Sequence, residues 1–447
     1  MNNIKISTNF KSKYMVFGLG KTGLSVAKYL RRNNIDAIYY DTRINPPNLN
    51  ELKAIIPESK IFLGDCAQFL LTDVDRLVVS PGLNNNEPLI QKANNLGIEI
   101  ISDIDIFVEN TIQEFVVITG SNGKSTVTEL LLLMCMKAKI EAVAGANLGK
   151  PALDLLSENI DIYLLELSSF HLARCNHLPA KVAALLNISS DHIDWHGSEE
   201  SYYQAKYRIY REASSSVYNR NNLKSLDYIG EGLSSSFGMD QGNEDHFGTL
   251  KCDGIRYLAK GSEKLLSTHD IRLSGSHNIE NILAAMSIGT LMGIPKESMI
   301  DAIKEFKGLP HRMQLIASIN GVQYINDSKG TNVGAAIASV NSIEGSLILI
   351  AGGQGKGGDF KFFADSIYRN LKEIILIGED SKIIAKEFEP LISTTIVDNL
   401  DEAVYLAAEN SNKGGTVLLS PACASFDQFD SYIHRGDEFC RIVRELK

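Results

Sequence analysis

Residues 119–126 read Thr-Gly-Ser-Asn-Gly-Lys-Ser-Thr and directly follow a short apolar run, Phe115–Ile118. The apolar run predicts a buried strand, and the glycines predict a tight turn into the helix that follows. Backbone amides in such a turn bind phosphate oxygens together with the N-terminus of the helix. Lys124 would then neutralise the β- and γ-phosphates of a nucleotide, and Ser125 would bind Mg²⁺.

This turn departs from the full P-loop pattern, because Ile118 occupies the position of the first glycine. A strand–helix turn without a ligand is the alternative interpretation. It leaves the succession Gly-Lys-Ser-Thr at the start of a helix unexplained, so we favour phosphate binding.

An acidic residue ends the next apolar run that we interpret. Glu166 follows Ile162–Leu165, which predicts a second buried strand. A strand that brings one carboxylate to its carboxyl end is how nucleotide-binding sheets hold Mg²⁺. A helix cap or a surface position is the alternative for Glu166 taken alone. Beside a phosphate loop, we predict that it binds Mg²⁺.

The N-terminal part shows the same succession of strand, glycine turn and helix. Residues 14–17 and 38–41 predict two strands, and Gly18-Leu19-Gly20-Lys21-Thr22-Gly23 predicts a turn after the first one. The turn matches the dinucleotide fingerprint in form, with Asp41 at the end of the second strand. Because this pattern is weak, it does not distinguish NAD from another nucleotide or a nucleotide sugar.

Three apolar runs near the C-terminus predict a further α/β unit, and they are Leu347–Ile350, Ile374–Ile377 and Thr416–Leu419. Polar segments follow strands at 326–332, 352–356 and 420–425. Open α/β sheets bind ligands at the carboxyl ends of adjacent strands. Lys356 and Ser425 together would suit a carboxylate, such as that of an acidic amino acid.

These blocks predict an α/β protein of three domains, a number that the length of 447 residues also favours. We expect a Rossmann-like N-terminal domain at residues 1–104. A central P-loop-type ATPase domain with a mainly parallel sheet would occupy 105–308. A C-terminal Rossmann-like domain would occupy 309–447, since proline in Gly308-Leu309-Pro310 interrupts the preceding pattern. All three blocks have the pattern of parallel-sheet units.

Composition excludes several classes of protein. A formal net charge of −10 argues against binding nucleic acid or an anionic membrane, although a small anionic substrate remains compatible with it. Six cysteines are scattered without a Cys-x-x-Cys pair, so we expect reduced thiols. The most apolar run, Leu130–Met136, is too short to span a bilayer, and residues 1–13 have no apolar signal core. We therefore expect a cytoplasmic protein without membrane insertion.

Two patterns stay ambiguous when they are judged from the residues alone. The segment Asp191–His196 contains two histidines, and a metal site or a polar loop would explain it equally well. Lys206 lies among Tyr203, Tyr207 and Tyr210, where a lysine is usually a solvated charge.

In their order along the chain, these motifs resemble those of the Mur ligase superfamily. The resemblance rests on Gly18-Leu19-Gly20, residues 119–126, Glu166-Leu167-Ser168-Ser169-Phe170, Asp191-His192, Ala205-Lys206, Pro310-His311-Arg312 and Asn326-Asp327-Ser328-Lys329. Residues 419–429, Leu-Ser-Pro-Ala-Cys-Ala-Ser-Phe-Asp-Gln-Phe, favour the D-glutamate-adding branch of the family. The resemblance implies a UDP-sugar domain, an ATPase domain and an amino-acid domain.

The resemblance also implies the substrates UDP-N-acetylmuramoyl-L-alanine, D-glutamate and ATP. By this likeness the UDP substrate contacts Gly20, Lys21, Thr22, Asp41, Thr42, Arg43, Gly82, Asn147 and Ser168. The ATP contacts are Gly120, Ser121, Asn122, Gly123, Lys124, Ser125, Thr126, Asn278, Asn281, Arg312, Asp327 and Lys329.

The D-glutamate contacts implied by the resemblance are Thr331, Lys356, Ser425, Phe426 and Tyr432. Two of them depart from the family pattern, since Tyr432 replaces a phenylalanine and Phe426 replaces a leucine. The implied catalytic residues are Lys124, Glu166, His192 and Lys206. Two Mg²⁺ ions would be held by Ser125, Glu166, His192 and Lys206, the last of these as a carbamate formed with CO₂.

The reaction implied is amide formation through an acyl phosphate, because a carboxylate must first acquire a good leaving group. The C-terminal domain would close over the central domain by pivoting near Gly308–Pro310, which would protect that intermediate from water. We expect a monomer. The alternatives are another Mur ligase or a folylpolyglutamate synthase and, from a different class, an NAD- or nucleotide-sensing regulatory protein.

Overall fold

The computed structural model describes residues 13–65, 71–147, 149–157, 159–189, 191–273, 275–355 and 357–446. They form three α/β domains, each built around its own sheet. No helix in these ranges is both long and apolar enough to cross a bilayer. The cysteines within them are free thiols, namely Cys135, Cys175, Cys252, Cys423 and Cys440, while Cys66 lies outside the described residues.

The N-terminal sheet is parallel, with the strand order β3-β2-β1-β4-β5. All four residues of its central strand are buried, as expected for a strand covered on both faces. The strands are β1 Tyr14–Phe17, β2 Ala37–Asp41, β3 Ile61–Leu63, β4 Arg76–Val79 and β5 Glu99–Ile101. The helices are α1 Lys21–Arg32, α2 Leu49–Ile55, α3 Pro88–Asn95 and α4 Asp103–Asn110.

The central sheet has nine strands in the order β14-β13-β12-β11-β10-β9-β6-β8-β7. Its strands are β6 Glu114–Thr119, β7 Ala142–Ala146, β8 Ile162–Glu166, β9 Val182–Leu185, β10 Ser215–Asn219, β11 Leu233–Phe237, β12 Phe247–Cys252, β13 Ile255–Lys260 and β14 Glu263–Ser267. Its helices are α5 Lys124–Lys137, α6 Ser169–Arg174, α7 Ile193–His196, α8 Glu199–Tyr207, α9 Ser276–Met292 and α10 Lys296–Glu305.

The C-terminal sheet has six strands in the order β15-β16-β20-β17-β18-β19. They are β15 Gln314–Ile319, β16 Val322–Asn326, β17 Leu347–Gly352, β18 Glu373–Ile377, β19 Ser393–Ile396 and β20 Thr416–Leu419. The helices are α11 Val333–Asn341, α12 Phe360–Ile367, α13 Ser381–Phe388, α14 Leu400–Asn410 and α15 Tyr432–Glu445.

The three-domain α/β fold with mainly parallel sheets is confirmed, and two sheet edges depart from the parallel pattern. Strands β12, β13 and β14 pair antiparallel, and so do β15 and β16. Asp253-Gly254 and Asn320-Gly321 connect two of these pairs, and all four residues have positive φ angles. Such dipeptides form the two-residue turns whose twist matches that of a hairpin.

Candidate active site

The phosphate loop joins β6 to α5, and close packing restricts its shape. Gly123 caps α5 with a φ of +83°, which only glycine adopts at little cost. A β-carbon on Gly123 would lie 2.2 Å from Oδ1 of Asn281 on α9. A β-carbon on Gly120 would lie 3.0 Å from the β-carbon of Leu186. The loop therefore fits between α9 and the end of β9 only with glycine at residue 123.

Polar side chains after β9 hold the loop from the other side. The Asn187 amide accepts from Asn122 N at 2.8 Å and donates to Asn122 O at 3.0 Å. The Ser121 hydroxyl lies 3.0 Å from Ser189 O and 2.8 Å from the hydroxyl of Tyr202. No sequence motif marks these supports, although Asn187 follows an apolar strand much as Glu166 ends one.

Two lysines approach the same backbone carbonyl of the loop. Lys124 Nζ donates to Gly120 O at 2.7 Å and to Ser121 O at 3.1 Å. Lys206 Nζ donates to Gly120 O at 3.0 Å and to the Thr119 hydroxyl at 3.3 Å. The interpretation of Lys206 as a solvated charge is wrong, because the residue is only 2% exposed. It extends from the inner face of α8, one turn after the buried Tyr202.

The environment of Lys206 favours a neutral amine. Burial and then the charge of Lys124 lower the pKa of Lys206 well below its usual range. Asp191 and Glu166 oppose this shift without overcoming it. A neutral amine in this position is a nucleophile that a protonated lysine is not.

Glu166 ends β8 beside the loop and is 2% exposed. Its Oε1 accepts a hydrogen bond of 2.7 Å from Nδ2 of Asn147, which follows the neighbouring strand β7. Its Oε2 is buried and accepts no hydrogen bond from the described residues. An unsatisfied buried carboxylate oxygen is costly. The arrangement fits a cation ligand such as Mg²⁺, which prefers oxygen donors.

Side chains alone do not complete a metal site here. The described part of the chain contains no group of three His, Cys, Asp or Glu side chains able to hold a metal ion. His192 directly precedes α7 and has a φ of +54°, and its ring centroid lies 4.8 Å from that of Phe170.

The C-terminal domain brings further polar groups to this region. Arg312 Nη2 donates to the Ser125 hydroxyl at 2.8 Å. A cavity between the central and C-terminal domains brings together eight of the expected ATP contacts, which are Asn122, Gly123, Thr126, Asn278, Asn281, Arg312, Asp327 and Lys329.

Asp327 and Lys329 in this cavity are both strongly perturbed. Burial raises the pKa of Asp327 to about 6, although the carboxylate accepts hydrogen bonds from the Ser339 and Ser420 hydroxyls at 2.6 and 2.8 Å. Burial, with the charges of Arg312 and Lys124, lowers the pKa of Lys329 to about 8. Its Nζ lies 4.1 Å from the ring centroid of Tyr432.

The expected UDP contacts lie mainly at the carboxyl ends of neighbouring strands β1, β2 and β4. The Asp41 carboxylate accepts from Leu19 N at 2.7 Å and pairs with Arg43 at 2.8 Å. Burial opposes ionisation, but these hydrogen bonds lower the pKa of Asp41. Gly20, Lys21 and Thr22 lie at the start of α1, and Thr42 lies between Asp41 and Arg43.

The loop containing Gly82 touches the central domain. Gly82 O accepts a hydrogen bond of 3.2 Å from Trp195 Nε1, and Arg174 donates to Leu83 O. Ser168 caps α6, and its hydroxyl lies 2.6 Å from Nδ1 of His171. The segment Asp191–His196, which includes α7, thus contacts the N-terminal domain through Trp195.

The expected D-glutamate contacts differ in how deeply they are buried. Thr331 N donates to Lys329 O at 2.7 Å, and Ser425 is buried near the end of β20. The ring of Tyr432 packs against the Lys329 ammonium, whereas Phe426 is 65% exposed. Lys356 lies outside the described residues.

Three domain families match successive parts of the chain. The Mur ligase MurD-like N-terminal domain matches residues 12–102, the Mur ligase middle domain matches 118–289, and the Mur ligase glutamate ligase domain matches 311–423. Together these matches cover most of the sequence.

Curated relatives match nearly the full length. A UDP-N-acetylmuramoylalanine–D-glutamate ligase of Pseudomonas fluorescens is 41% identical over 437 residues, which cover 97% of this chain and 98% of the relative. The enzyme of the same name from Pseudomonas aeruginosa gives the same identity and coverage. The one from Legionella pneumophila is 39% identical over 444 residues, covering 97% and 99%.

Solved structures share the fold at lower identity. The UDP-N-acetylmuramate-alanine ligase MurC of Thermotoga maritima gives a TM-score of 0.60 at 18% identity, covering 97% of this chain and 100% of that one. The MurF ligase of Thermotoga maritima, solved in complex with ADP, gives 0.59 at 18% identity, covering 98% and 96%.

Proposed function

This chain belongs to the Mur ligase family, and from that premise we propose that it joins D-glutamate to UDP-N-acetylmuramoyl-L-alanine with hydrolysis of ATP to ADP and phosphate. The reaction is a step of peptidoglycan precursor synthesis. The observation that carries the proposal is the identity of about 40% to D-glutamate ligases over nearly the whole chain. We further propose that the protein acts in the cytoplasm as a monomer.

The first chemical step converts the substrate carboxylate into an acyl phosphate. Lys124, at the start of α5, is placed to neutralise the ATP phosphates in the loop. Arg312 contacts the Ser125 hydroxyl and brings a second cation to the same helix N-terminus. Mg²⁺, when bound, would supply charge neutralisation along the transfer path. Glu166 and Ser125 would hold it, together with His192 and a carbamate on Lys206.

Lys206 is the residue whose environment argues for modification. Its amine is buried beside Lys124, where two positive charges repel each other. A bond between the neutral amine nitrogen and the carbon of CO₂, with loss of one proton, yields a carbamate. This change gives the buried amine a negative charge beside Lys124 and would add oxygen ligands for Mg²⁺.

The second step is attack of the D-glutamate amine on the acyl carbon, with phosphate as the leaving group. Thr331, Lys356, Ser425, Phe426 and Tyr432 would orient the amino acid. Lys329 lines the nucleotide cavity, and its Nζ lies 4.1 Å from the ring centroid of Tyr432, so it can stabilise negative charge on the transferred phosphoryl group. The UDP moiety would lie at the ends of β1, β2 and β4, with Asn147 and Ser168 nearer the reacting carboxylate.

The test is release of ADP by the purified protein, measured as each substrate is omitted in turn. We expect turnover only when UDP-N-acetylmuramoyl-L-alanine and D-glutamate are both present. Turnover with L-alanine or L-lysine in place of D-glutamate, or with a folate acceptor, would assign another ligase activity. Lys124→Ala should abolish ADP release, whereas Lys137→Ala, on the exposed end of the same helix, should retain it.

The carbamate has a separate test. Lys206→Ala should lose nearly all activity and regain much of it with small carboxylic acids, because their oxygen atoms replace the lost ligand. Lys124→Ala should show no such recovery under the same acids. If no acid of a series activates Lys206→Ala, the proposed carbamate is wrong.

A further inference from the structure

Three loops at one edge of the C-terminal sheet are tied to one another. They follow the neighbouring strands β16, β20 and β17. Ala422 N donates to Gly330 O at 2.8 Å, which joins the first two loops. Ala424 and Gln354 exchange two backbone hydrogen bonds of 2.9 and 3.0 Å, which join the second and third. The expected D-glutamate contacts Thr331 and Ser425 lie in two of these loops.

Arg435 lies beneath this junction, in the first turns of α15, and is 1% exposed. Its Nη2 donates to Ser328 O at 2.9 Å and to Cys423 O at 3.2 Å. Its Nη1 donates to Ala424 O at 3.4 Å, and its Nε donates to the Ser328 hydroxyl at 3.0 Å. One guanidinium therefore contacts the backbone of both the β16 loop and the β20 loop.

The same cluster fixes the start of α15. The Ser328 hydroxyl, which accepts from Arg435, donates to Tyr432 O at 2.8 Å. Asn326 Nδ2 donates to Gly436 O at 2.9 Å. The backbone of Tyr432, another expected D-glutamate contact, is thereby tied to the loop that follows β16.

Burial of the Arg435 guanidinium without a carboxylate partner is energetically unfavourable. None of the hydrogen-bond acceptors of Arg435 among the described residues is a carboxylate. Burial accordingly lowers the pKa of Arg435 to about 10. The residue also lies near the N-terminus of its helix, where the helix dipole disfavours a cation.

We propose that Arg435 is a positioning residue for the amino-acid substrate, which it serves by holding the Cys423–Ala424 backbone against Ser328 so that Ser425 and Thr331 face one ligand carboxylate. The proposal rests on the function proposed above. The planar fork of arginine suits this role, because it places several donors in fixed directions that the ammonium of lysine does not reproduce.

The nucleotide side of the same loop has its own supports. Asp327 is held by Ser339, by Ser420 and by the backbone amide of Met313 at 3.2 Å. None of these contacts involves Arg435. Loss of the guanidinium should therefore disturb the amino-acid site far more than the nucleotide site.

The experiment measures KM for D-glutamate, KM for ATP and kcat in the full-length enzyme carrying Arg435→Lys or Arg435→Met. We expect KM for D-glutamate to rise about tenfold or more while KM for ATP changes less than about threefold. Ser328→Ala, which removes one acceptor, should shift the same ratio in the same direction and to a smaller extent.

Phe439→Leu is the matched control, because Phe439 is buried on the same helix in an apolar cluster of the domain and its ring makes no hydrogen bond to the loops. It should lower the melting temperature and leave KM for D-glutamate within about twofold of wild type. Equal rises in KM for both substrates, an unchanged KM for D-glutamate in both Arg435 variants, or the same rise in Phe439→Leu would each overturn the proposal. If Arg435→Met does not fold, Arg435→Lys and Ser328→Ala decide the question. Wild-type enzyme that releases ADP without D-glutamate would instead refute the function proposed above.

Discussion

The N-terminal and central domains meet through a shared apolar core, whereas the central and C-terminal domains meet through polar side chains. One hydrophobic cluster contains Tyr39 and Val78 of the first sheet and also Phe115 and Tyr163 of the second. Helix α4 lies between them, with Phe107 centred 5.1 Å from Tyr163. Among the described residues, the apolar clusters of the C-terminal domain include no residue before Met313.

The two junctions differ in how strongly they hold the domains. Apolar burial stabilises by about 25 cal/mol per Å², so the shared core should make the first two domains one cooperative unit. The second junction includes the hydrogen bond from Arg312 to Ser125 and one of 3.4 Å from Asn332 to Asp191. Hydrogen bonds contribute about 0.5–1.5 kcal/mol each. The weaker junction contains the nucleotide cavity, which suits a domain that opens and closes during turnover.

Phe107→Ala is expected to have the largest effect on stability. Phe107 is fully buried and touches Phe115 and Tyr163, so its removal leaves a cavity at the first junction. The free energy of unfolding of the N-terminal and central unit should fall by about 3–5 kcal/mol. Calorimetry would show one transition for both domains moving to lower temperature.

Phe363→Ala is the control, because Phe363 is equally buried but lies in the core of the C-terminal domain. It should lower only the transition of that domain. If Phe107→Ala separates the N-terminal domain from the central domain in two transitions, the two domains are not one unit.

Arg312→Met should have a large effect on activity and a small effect on stability. Arg312 reaches from the C-terminal domain to Ser125, so it links the two domains and adds a cation at the phosphate loop. We expect kcat/KM for ATP to fall about 100-fold. The melting temperature should stay within a few degrees of wild type, since partly exposed polar contacts contribute little.

Arg369→Met, an exposed arginine of the same domain, should leave both quantities unchanged. A fall in melting temperature for Arg312→Met comparable with that of Phe107→Ala would show that the second junction also carries stability. In that case the contrast between the junctions disappears.

Most elements of the fold were predictable because short segments of the sequence carry clear strand and turn signals. The strands ending at Phe17, Thr119 and Glu166 are short apolar runs, each followed by glycine or a carboxylate. The antiparallel hairpins were missed although Asp253-Gly254 and Asn320-Gly321 are strong turn signals. Strand β16 alternates between buried and more exposed positions, and β13 is mostly half-buried, unlike the continuous buried runs of the parallel strands.

The candidate site was predictable where a motif carries its own chemistry, as at Lys124, but not where packing decides. Nothing near Lys206 in sequence shows that α8 turns it inward onto the phosphate loop. The support from Asn187 and the contact between Arg312 and Ser125 join residues far apart in the chain. Burial of Arg435 likewise follows from where α15 lies against two loops, which no local pattern specifies.

The smallest of the expected effects concerns pH, and it compares the nucleotide cavity with the UDP site. Lys329 has a pKa lowered to about 8 by burial and by the charges of Arg312 and Lys124, so it is a cation below that pH and neutral above it. Between pH 7 and pH 9 we expect KM for ATP to rise about threefold to tenfold as this charge is lost. KM for the UDP substrate should stay level, because the charges of Asp41 and Arg43 do not change in this range. Burial raises the pKa of Asp41, but its hydrogen bonds, chiefly with Arg43, lower it overall. The same hydrogen bond raises the pKa of Arg43.

Lys329→Arg separates the charge of this residue from its titration. A guanidinium stays protonated across the whole range, so the variant should show a KM for ATP that no longer rises toward pH 9. A rise that persists in Lys329→Arg would assign the titration to another group. An equal rise in KM for the UDP substrate would mean that the UDP site also responds to pH, and the electrostatic contrast between that site and the nucleotide cavity would then be wrong.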